Sequence, residues 1–363
     1  MASEPKYIMI KNKLKQHILE GGYAVDSKIP SESELKDMFS VSRHTVRQSI
    51  SDLVNEGYLK TEQGSGTYVS NQYQLKTKDT SQKIIGVITT YLSDYIFPSI
   101  IRGIEDELSK KGYALLLSST QNNREYEKNS LEMMLERNID GLIVEPTKSA
   151  ELSPNLNYYL RMQERGIPYV FINASYGELE APVISMNDTL ASEKLTSHLL
   201  ELGHTRISMI TKTDDLQGKD RMKGFIKAHS KSNQTMDSRL MITFDTENIK
   251  ELSEKIDHLL QLENFPTAFV CYNDQIAIKV IDHILDIGKK IPRDISIVSH
   301  DNSFLSTATD TKLTSIDHPK EKLGRDAANW IMQAIEKNSF NQQSIIYEPD
   351  LIKRTSTSKN IIE

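Results

Sequence analysis

The sequence predicts an α/β chain of two unequal parts, a small helical head closed by a β-hairpin and a large two-lobed body built on parallel sheets. Three observations carry this. Amphipathic helix patterns crowd the first 57 residues and give way to a glycine-tipped, strand-like run. Residues 71–83 are polar and have no apolar periodicity. From residue 84 onward, apolar strand runs alternate with amphipathic helices, the signature of βαβ units and a parallel sheet.

Composition bounds what the chain can be. Its 363 residues suffice for two or three folded units, and 38% apolar content is enough to build cores. Mean hydropathy is -0.46, and no apolar stretch approaches the ~20 residues that span a bilayer. The start, MASEPKYIMIKNKLKQ, lacks the continuous apolar segment of a secretory signal. The lone cysteine, Cys271, excludes an intrachain disulfide and a cysteine-only metal cluster, so a cytoplasmic location is expected. Net charge is -6, unevenly divided. Residues 1–83 carry 12 Lys and Arg against 10 Asp and Glu, and the remainder carries 32 against 40. Any polyanion would therefore be met by the head.

The head begins with Tyr7, Ile10, Leu14 and Ile18 at helical steps, stopped by Gly21-Gly22. In KIPSESELKDMF, Ser31 precedes Glu34 by three residues, a capping box, and Leu35, Met38 and Phe39 give the helix a buried face. Ser42 caps a second helix whose inward stripe is Val46, Ile50, Leu53 and Val54, with Gly57 as its stop. Its other face presents Arg43, His44, Arg47 and Ser51. Two short helices joined by a tight turn, the second bearing donors in its N-terminal half, suit a DNA major groove, where Arg forks onto guanine O6 and N7. YLKTEQGSGTYVS reads as a hairpin with Gly64-Ser65-Gly66 at its tip, slim enough for a minor groove, flanked by Gln63 and Thr67. A phosphate cradle is not indicated, because a strand and not a helix follows the glycines.

IPSESEL, VSRHTVRQSISDL, EGYL and QGSGTYV resemble the winged helix-turn-helix of the GntR family, with Ser49 where that family usually has alanine. The resemblance implies that residues 1–70 bind double-stranded operator DNA. Glu32, Ser42, Arg43, His44, Thr45 and Arg47 would stand near bases or phosphates, and Gln63, Gly64, Ser65, Gly66 and Thr67 would form the wing. Residues 71–83 would be the linker.

The body, residues 84–363, alternates KIIGVIT, YALLLSST, DGLIVEP and PYVFINAS with helices. It then starts a second series at DTLASEKLTSHLLELG, followed by RISMIT, DRMKGFIKAHSK, MITFD, a helix across 247–262, TAFVCYND, QIAIKVIDHILDIG and ISIVSHDN. Two such series suggest two similar lobes with a cleft between them, and open α/β sheets bind ligands beyond the carboxyl ends of their strands. The residues that follow the strands are the candidates: Tyr91, Tyr95, Phe97 and Arg102; Glu145 and Lys148; Asn173; Asp188; Gln217 and Arg221; Asn273 and Asp274; His300 and Asp301. Carboxylates, amides and arginines make paired hydrogen bonds to hydroxyls, and aromatic faces suit the C–H side of a sugar ring, so the set fits a small neutral polyol. Each residue also has a plainer role open to it. Asp188 and Asn273 could be helix caps, Phe97 packing, and Arg221 surface.

IIGVIT, IDGLIVEP, LLELGHTRISMI, DRMKGF, YNDQIA, IPRDISIVSHD and LTSIDHPKEKLGRDAA are similar to the LacI/GalR effector domain, a periplasmic-binding-protein-like fold. That resemblance implies ligand contacts from Arg221 and Asp301, with Ser299-His300 standing where the family often has Gly-Tyr or Gly-Phe. A GntR-type head on a LacI-type body, with TTYLSDYIFPSIIRGIE, GLIVEPTKSA and INASYGELEAP, is similar to the arabinose-responsive repressors of Gram-positive bacteria. The resemblance, not the composition, implies L-arabinose as sugar effector and a homodimer on the operator. An enzyme is the competing class. The chain has no P-loop, no H-E-x-x-H pair, no G-x-S-x-G elbow and no dinucleotide fingerprint, and its nine histidines are scattered. No catalytic residue, cofactor, metal or membrane partner is therefore expected.

Overall fold

A computed structural model describes residues 5–19, 22–62, 64–70, 82–93, 95–337 and 343–360. The chain divides into two compact units, Met1–Gln82 and Lys83–Glu363. Most of the expected linker, residues 71–81, lies outside the described residues.

The head contains α1 (Lys6–Leu19), α2 (Glu32–Phe39), α3 (Arg43–Asn55), β1 (Leu59–Glu62) and β2 (Gly66–Val69). Its core is Ile10, Leu14, Ile18, Ile29, Leu35, Val46, Ile50, Leu53, Leu59 and Val69, which are the apolar stripes that periodicity marks out, together with the strand residues beside them. The Ser31–Glu34 capping box is formed on both sides, and Ser40 turns the chain through a left-handed conformation (φ 49°) into α3. Met38 departs from the expected buried face and is 62% exposed, because Leu35 and Phe39 already fill the inward side of this two-turn helix. The hairpin pairs Leu59 with Val69 and Glu62 with Gly66, and Lys28 adds an antiparallel bridge to Tyr68.

In the body, the first lobe opens with β3 (Ile84–Thr89), α4 (Phe97–Lys110), β4 (Ala114–Ser119), α5 (Arg124–Glu136), β5 (Gly141–Val144), α6 (Leu156–Glu164), β6 (Tyr169–Ile172) and β7 (Val183–Met186). The second lobe follows with α7 (Asp188–Glu201), β8 (Ile207–Lys212), α8 (Leu216–Lys231), β9 (Met241–Phe244), α9 (Leu252–Leu260), β10 (Ala268–Cys271), α10 (Asp274–Asp286), β11 (Ser296–Asp301) and β12 (Thr314–Asp317). The chain then returns to the first lobe for α11 (Lys320–Lys337) and β13 (Ile345–Tyr347), and ends in the second with β14 (Asp350–Ile352).

The sheet orders are β13-β7-β6-β5-β3-β4 and β14-β12-β11-β10-β8-β9. The first is parallel throughout. The second carries one antiparallel edge, β14 on β12. Two successive series describe the lobes incompletely, because the chain crosses between them three times. Packing explains the return. Leu323, Ala327 and Ile331 of α11 join Ile85, Ile100 and Ile104 in the first-lobe core. There α4 and α11 approach so closely that a Cβ on Gly103 would strike the Glu321 carbonyl oxygen, and one on Gly324 that of Ile100. No described helix is long and apolar enough to cross a membrane.

Candidate functional site

In the head, α3 is capped at Ser42, whose Oγ accepts from the Thr45 amide at 3.2 Å and lies 2.8 Å from Thr45 Oγ1. This cap fixes the direction of the first turn, which exposes Arg43, His44 and Arg47. Arg47 donates from Nε and Nη2 to Glu32 at 3.1 and 2.9 Å, and Arg43 Nε stands 3.7 Å from the same carboxylate. The guanidinium of Arg47 holds the Glu32 carboxyl below its ordinary range. Glu32 therefore aligns the two arginines with each other. Ser49 is fully buried and donates to the carbonyls of Tyr7 and Thr45, pinning α3 to α1.

At the wing tip, Gly64 (φ 79°) and Gly66 (φ 139°) adopt backbone that a side chain would strain. Lys28 lies over Gly66, so a Cβ there would strike its Cε. Ser65 is exposed and Thr67 half-buried, while Gln63 lies outside the described residues.

In the body, a cavity of about 310 Å³ lies between the lobes at the carboxyl ends of the strands. Ten of the fourteen candidates line it: Tyr91, Tyr95, Phe97, Glu145, Asn173, Asp188, Gln217, Arg221, Asn273 and Asp301. Arg102 does not. It is 66% exposed on α4 and faces Glu321 at 3.8 Å. Phe97, Ile100 and Ile104 occupy the inward face of that helix and turn Arg102 outward. Nor is the cavity lined by Lys148, which bridges to Glu247 at 2.8 Å, or by Asp274, whose carboxylate accepts from Ser303 and Ser315 within the second lobe.

Arg221 is the centre of the constellation. It is buried on α8, donates from Nε to Asp188 at 2.7 Å and from Nη1 to the Tyr272 carbonyl at 2.5 Å, and lies 3.4 Å from Asp301 through Nη2. Its guanidinium stands over the Tyr272 ring, 5.0 Å from the centroid. Burial pushes the Asp188 carboxyl up to about 6 even though Arg221 pulls the other way. The two neighbouring carboxylates hold Arg221 charged. Asp188 is not the helix cap: Asn187 is, accepting from the Leu190 amide. Asn273 serves both purposes, since it caps α10 through Oδ1 and lines the cavity.

Glu145 accepts from the Thr90 amide and hydroxyl and from Asn173 Nδ2 at 2.8 Å, and burial raises its carboxyl. Asn173 Oδ1 meets His318 Nε2 at 3.2 Å. That contact makes Nε2 the donor and leaves Nδ1 the bare acceptor, and burial pulls this imidazole down to about 4, so it is neutral at pH 7. His318 Nδ1 and Gln217 Oε1, both from lining residues, have no protein partner. Tyr95, Asn173 and Asp301 all take positive φ (64°, 64° and 92°), a backbone uncommon for side-chain-bearing residues and least expected for the bulky Tyr95. His300, by contrast, is buried and does not line the cavity, and its backbone carbonyl accepts from Tyr95 at 3.3 Å.

Sequence reasoning missed Thr90, Asn122, Lys212, Asp215, Tyr272 and His318. Thr90, Tyr272 and His318 stand one residue or less beyond a strand end, so the strand-end rule would have reached them. Asn122 marks a lip of the cleft, donating to Asp214 (3.1 Å) and Thr246 (2.6 Å) of the second lobe. Among the described residues, no group of three or more His, Cys, Asp or Glu is placed to hold a metal ion.

The family description "Bacterial regulatory proteins, gntR family" matches residues 6–69, and "Periplasmic binding protein-like domain" matches residues 196–357. The chain is 47% identical to the arabinose metabolism transcriptional repressor of Halalkalibacterium halodurans, over 98% of this chain and 97% of that one. It is 46% identical to the repressor of the same name from Geobacillus stearothermophilus, over 98% of each. The crystal structure of transcription regulator CcpA of Lactococcus lactis matches with a TM-score of 0.67 at 26% identity, over 76% of this chain and 99% of that one. A gntR-type head, a periplasmic-binding-type body and near-half identity over almost the whole length make this chain a DNA-binding transcriptional repressor, and it belongs to the family of arabinose metabolism transcriptional repressors.

Proposed function

We propose that the chain represses sugar-utilisation genes as a cytoplasmic homodimer and leaves its operator when L-arabinose enters the interlobe cavity. The observation that carries this reading is the chemistry of that cavity. A buried guanidinium with three of its five N–H donors engaged shares the cavity wall with two carboxylates, Asp188 and Asp301, and with residues that carry acceptors without protein partners, His318 Nδ1 and Gln217 Oε1. A polyol hydroxyl donates and accepts at once, so a pentose satisfies both kinds of group, and Tyr95 and Phe97 offer ring faces to its C–H side. The volume falls at the small end of the ~300–1,000 Å³ range of ligand sites. The relatives' names supply arabinose.

On the DNA side, Arg43, Arg47 and His44 of α3 read the major groove, Ser42 and Thr45 approach phosphates, and Gly64–Thr67 enter the minor groove, with Gln63 alongside. Glu32 acts by holding the arginines. Two such heads fit a pseudo-palindromic operator with half-sites one helical turn or a multiple of it apart. Linkage makes the effect reciprocal: whatever factor the sugar removes from operator affinity, the operator removes from sugar affinity.

A gel shift with the cognate operator and rising L-arabinose tests the reading, and undiminished binding at saturation would overturn it. A thermal-shift screen of monosaccharides then identifies the sugar that does stabilise the body. Sedimentation giving a monomer, both free and on the operator, would remove the dimer from the proposal.

A further inference from the structure

Beside the cavity stands a lysine in an unexpected position. Lys320 is the first residue of the 18-residue helix α11, where the positive end of the helix dipole disfavours a cation. It is half-buried, and burial lowers its ammonium below the usual lysine range. Each of its three N–H donors meets a carbonyl: Asp301 O at 2.7 Å, His318 O at 2.8 Å and Asn302 O at 3.2 Å. The contacts to Asp301 and Asn302 cross from the first lobe to the second.

Asp301 and Asn302 are consecutive left-handed residues (φ 92° and 41°). The turn stands where β11 ends, with Asp301 still in register with Asp317, and the carbonyls of both residues accept from Lys320. It also directs the Asp301 carboxylate to Arg221 Nη2. The side chain of Asn302 stays with the second lobe, donating to Asp317 (2.7 Å) and accepting from Arg354 (2.6 Å). One residue pair is thus gripped by its carbonyls from the first lobe, and by its side chains and the Asn302 amide, which donates to Ser315 Oγ at 3.0 Å, from the second.

We infer that Lys320 is a positioning residue of the effector switch: it holds the Asp301–Asn302 backbone from the opposite lobe, so that a change of lobe angle and a change in the Asp301–Arg221 pair occur together. This rests on the reading of the cavity as the effector site.

The full chain is compared with Lys320→Met, which keeps the stem and loses the donors, and with Lys320→Arg, which restores a cation. In the sugar-free proteins, hydrogen exchange at the Asn302 and Ser303 amides should rise about tenfold in Lys320→Met and fall back in Lys320→Arg. Parent-like exchange in Lys320→Met overturns the inference whatever the ligand is. Exchange that rises evenly across the body also overturns it, because that marks lost stability and not lost positioning. With L-arabinose, the factor by which sugar weakens operator binding should shrink at least about fivefold in Lys320→Met and be partly rescued in Lys320→Arg. A factor within about twofold of the parent's overturns the inference. If the parent itself ignores L-arabinose, the functional reading fails, and the exchange measurement still decides the role of Lys320. Should Lys320→Met not fold, Lys320→Gln carries the same expectations and the same overturning results.

Discussion

Arg47 in the head and Arg221 in the body are the same side chain in opposite circumstances. Arg47 is 68% exposed and held by one carboxylate that is itself in contact with water. Arg221 is 7% exposed and committed to two carboxylates, a carbonyl and an aromatic face. A lightly held exposed guanidinium gives up little when it turns to a guanine or a phosphate, so its interaction energy is available to an incoming partner. A buried one held by two carboxylates and a carbonyl cannot turn away without leaving those charges uncompensated. It serves as a rigid frame on which neighbouring acceptors are oriented. On the proposed reading, affinity for a polyanion and discrimination among neutral sugars call for arginines in different surroundings.

The largest expected effect tests the buried member. Arg221→Met leaves Asp188 and Asp301 uncompensated and should lower the unfolding free energy of the body by about 3–5 kcal/mol in denaturant titration, with the sugar response lost. Retained sugar binding by calorimetry would break the comparison. Next, Arg47→Ala should weaken operator binding roughly ten- to a hundredfold in a gel shift and leave sugar affinity within about twofold.

The pH response sharpens the buried side further. Asp188 titrates at about 6, above its unfolded value, so the stability it contributes is fully present below about pH 4 and is lost as pH rises through 6. His318 titrates at about 4, below its unfolded value, so its contribution is full above about pH 6.5 and is lost as pH falls through 4. Relative to Asp188→Asn, the parent should gain stability between pH 6 and 4. Relative to His318→Gln, it should lose stability as pH falls from 6.5 to 4. Denaturant titrations across this window check both signs. Ser49→Ala, which removes a buried hydroxyl donor from the head, should cost about 1 kcal/mol in thermal melts. Arg102→Ala should leave sugar affinity unchanged within about twofold in calorimetry, because its guanidinium faces water.

The head was legible almost residue by residue, because each of its elements is announced locally: Ser31 and Ser42 by capping, Val46 and Ile50 by helical spacing, and Gly64 and Gly66 by the turn they allow. Met38 went astray because a two-turn helix with two large apolar residues inward has no room for a third. In the body, strand ends located most of the cavity. Arg102 failed because proximity to a strand end says nothing about helical phase, which Phe97, Ile100 and Ile104 in fact decide. The lobe assignment of α11 was not legible, because it depends on a long-range return of the chain, which no local pattern encodes. Asp188 and Asn273 show the same limit at single residues. Either could have been the cap, and only the neighbouring Asn187 and the geometry at Ile276 tell them apart.

The three crossings between the lobes also set an order of events during synthesis. The core of the head uses residues between Ile10 and Val69 alone, so it is complete while most of the chain is still unmade. Neither sheet of the body is complete until β13 and β14, residues 345–352, have emerged. Its non-local pairings also close slowly. A nascent chain therefore carries a folded DNA-reading module well before it can sense a sugar, and a nonsense mutation anywhere before residue 345 would leave both lobes unfinished at once.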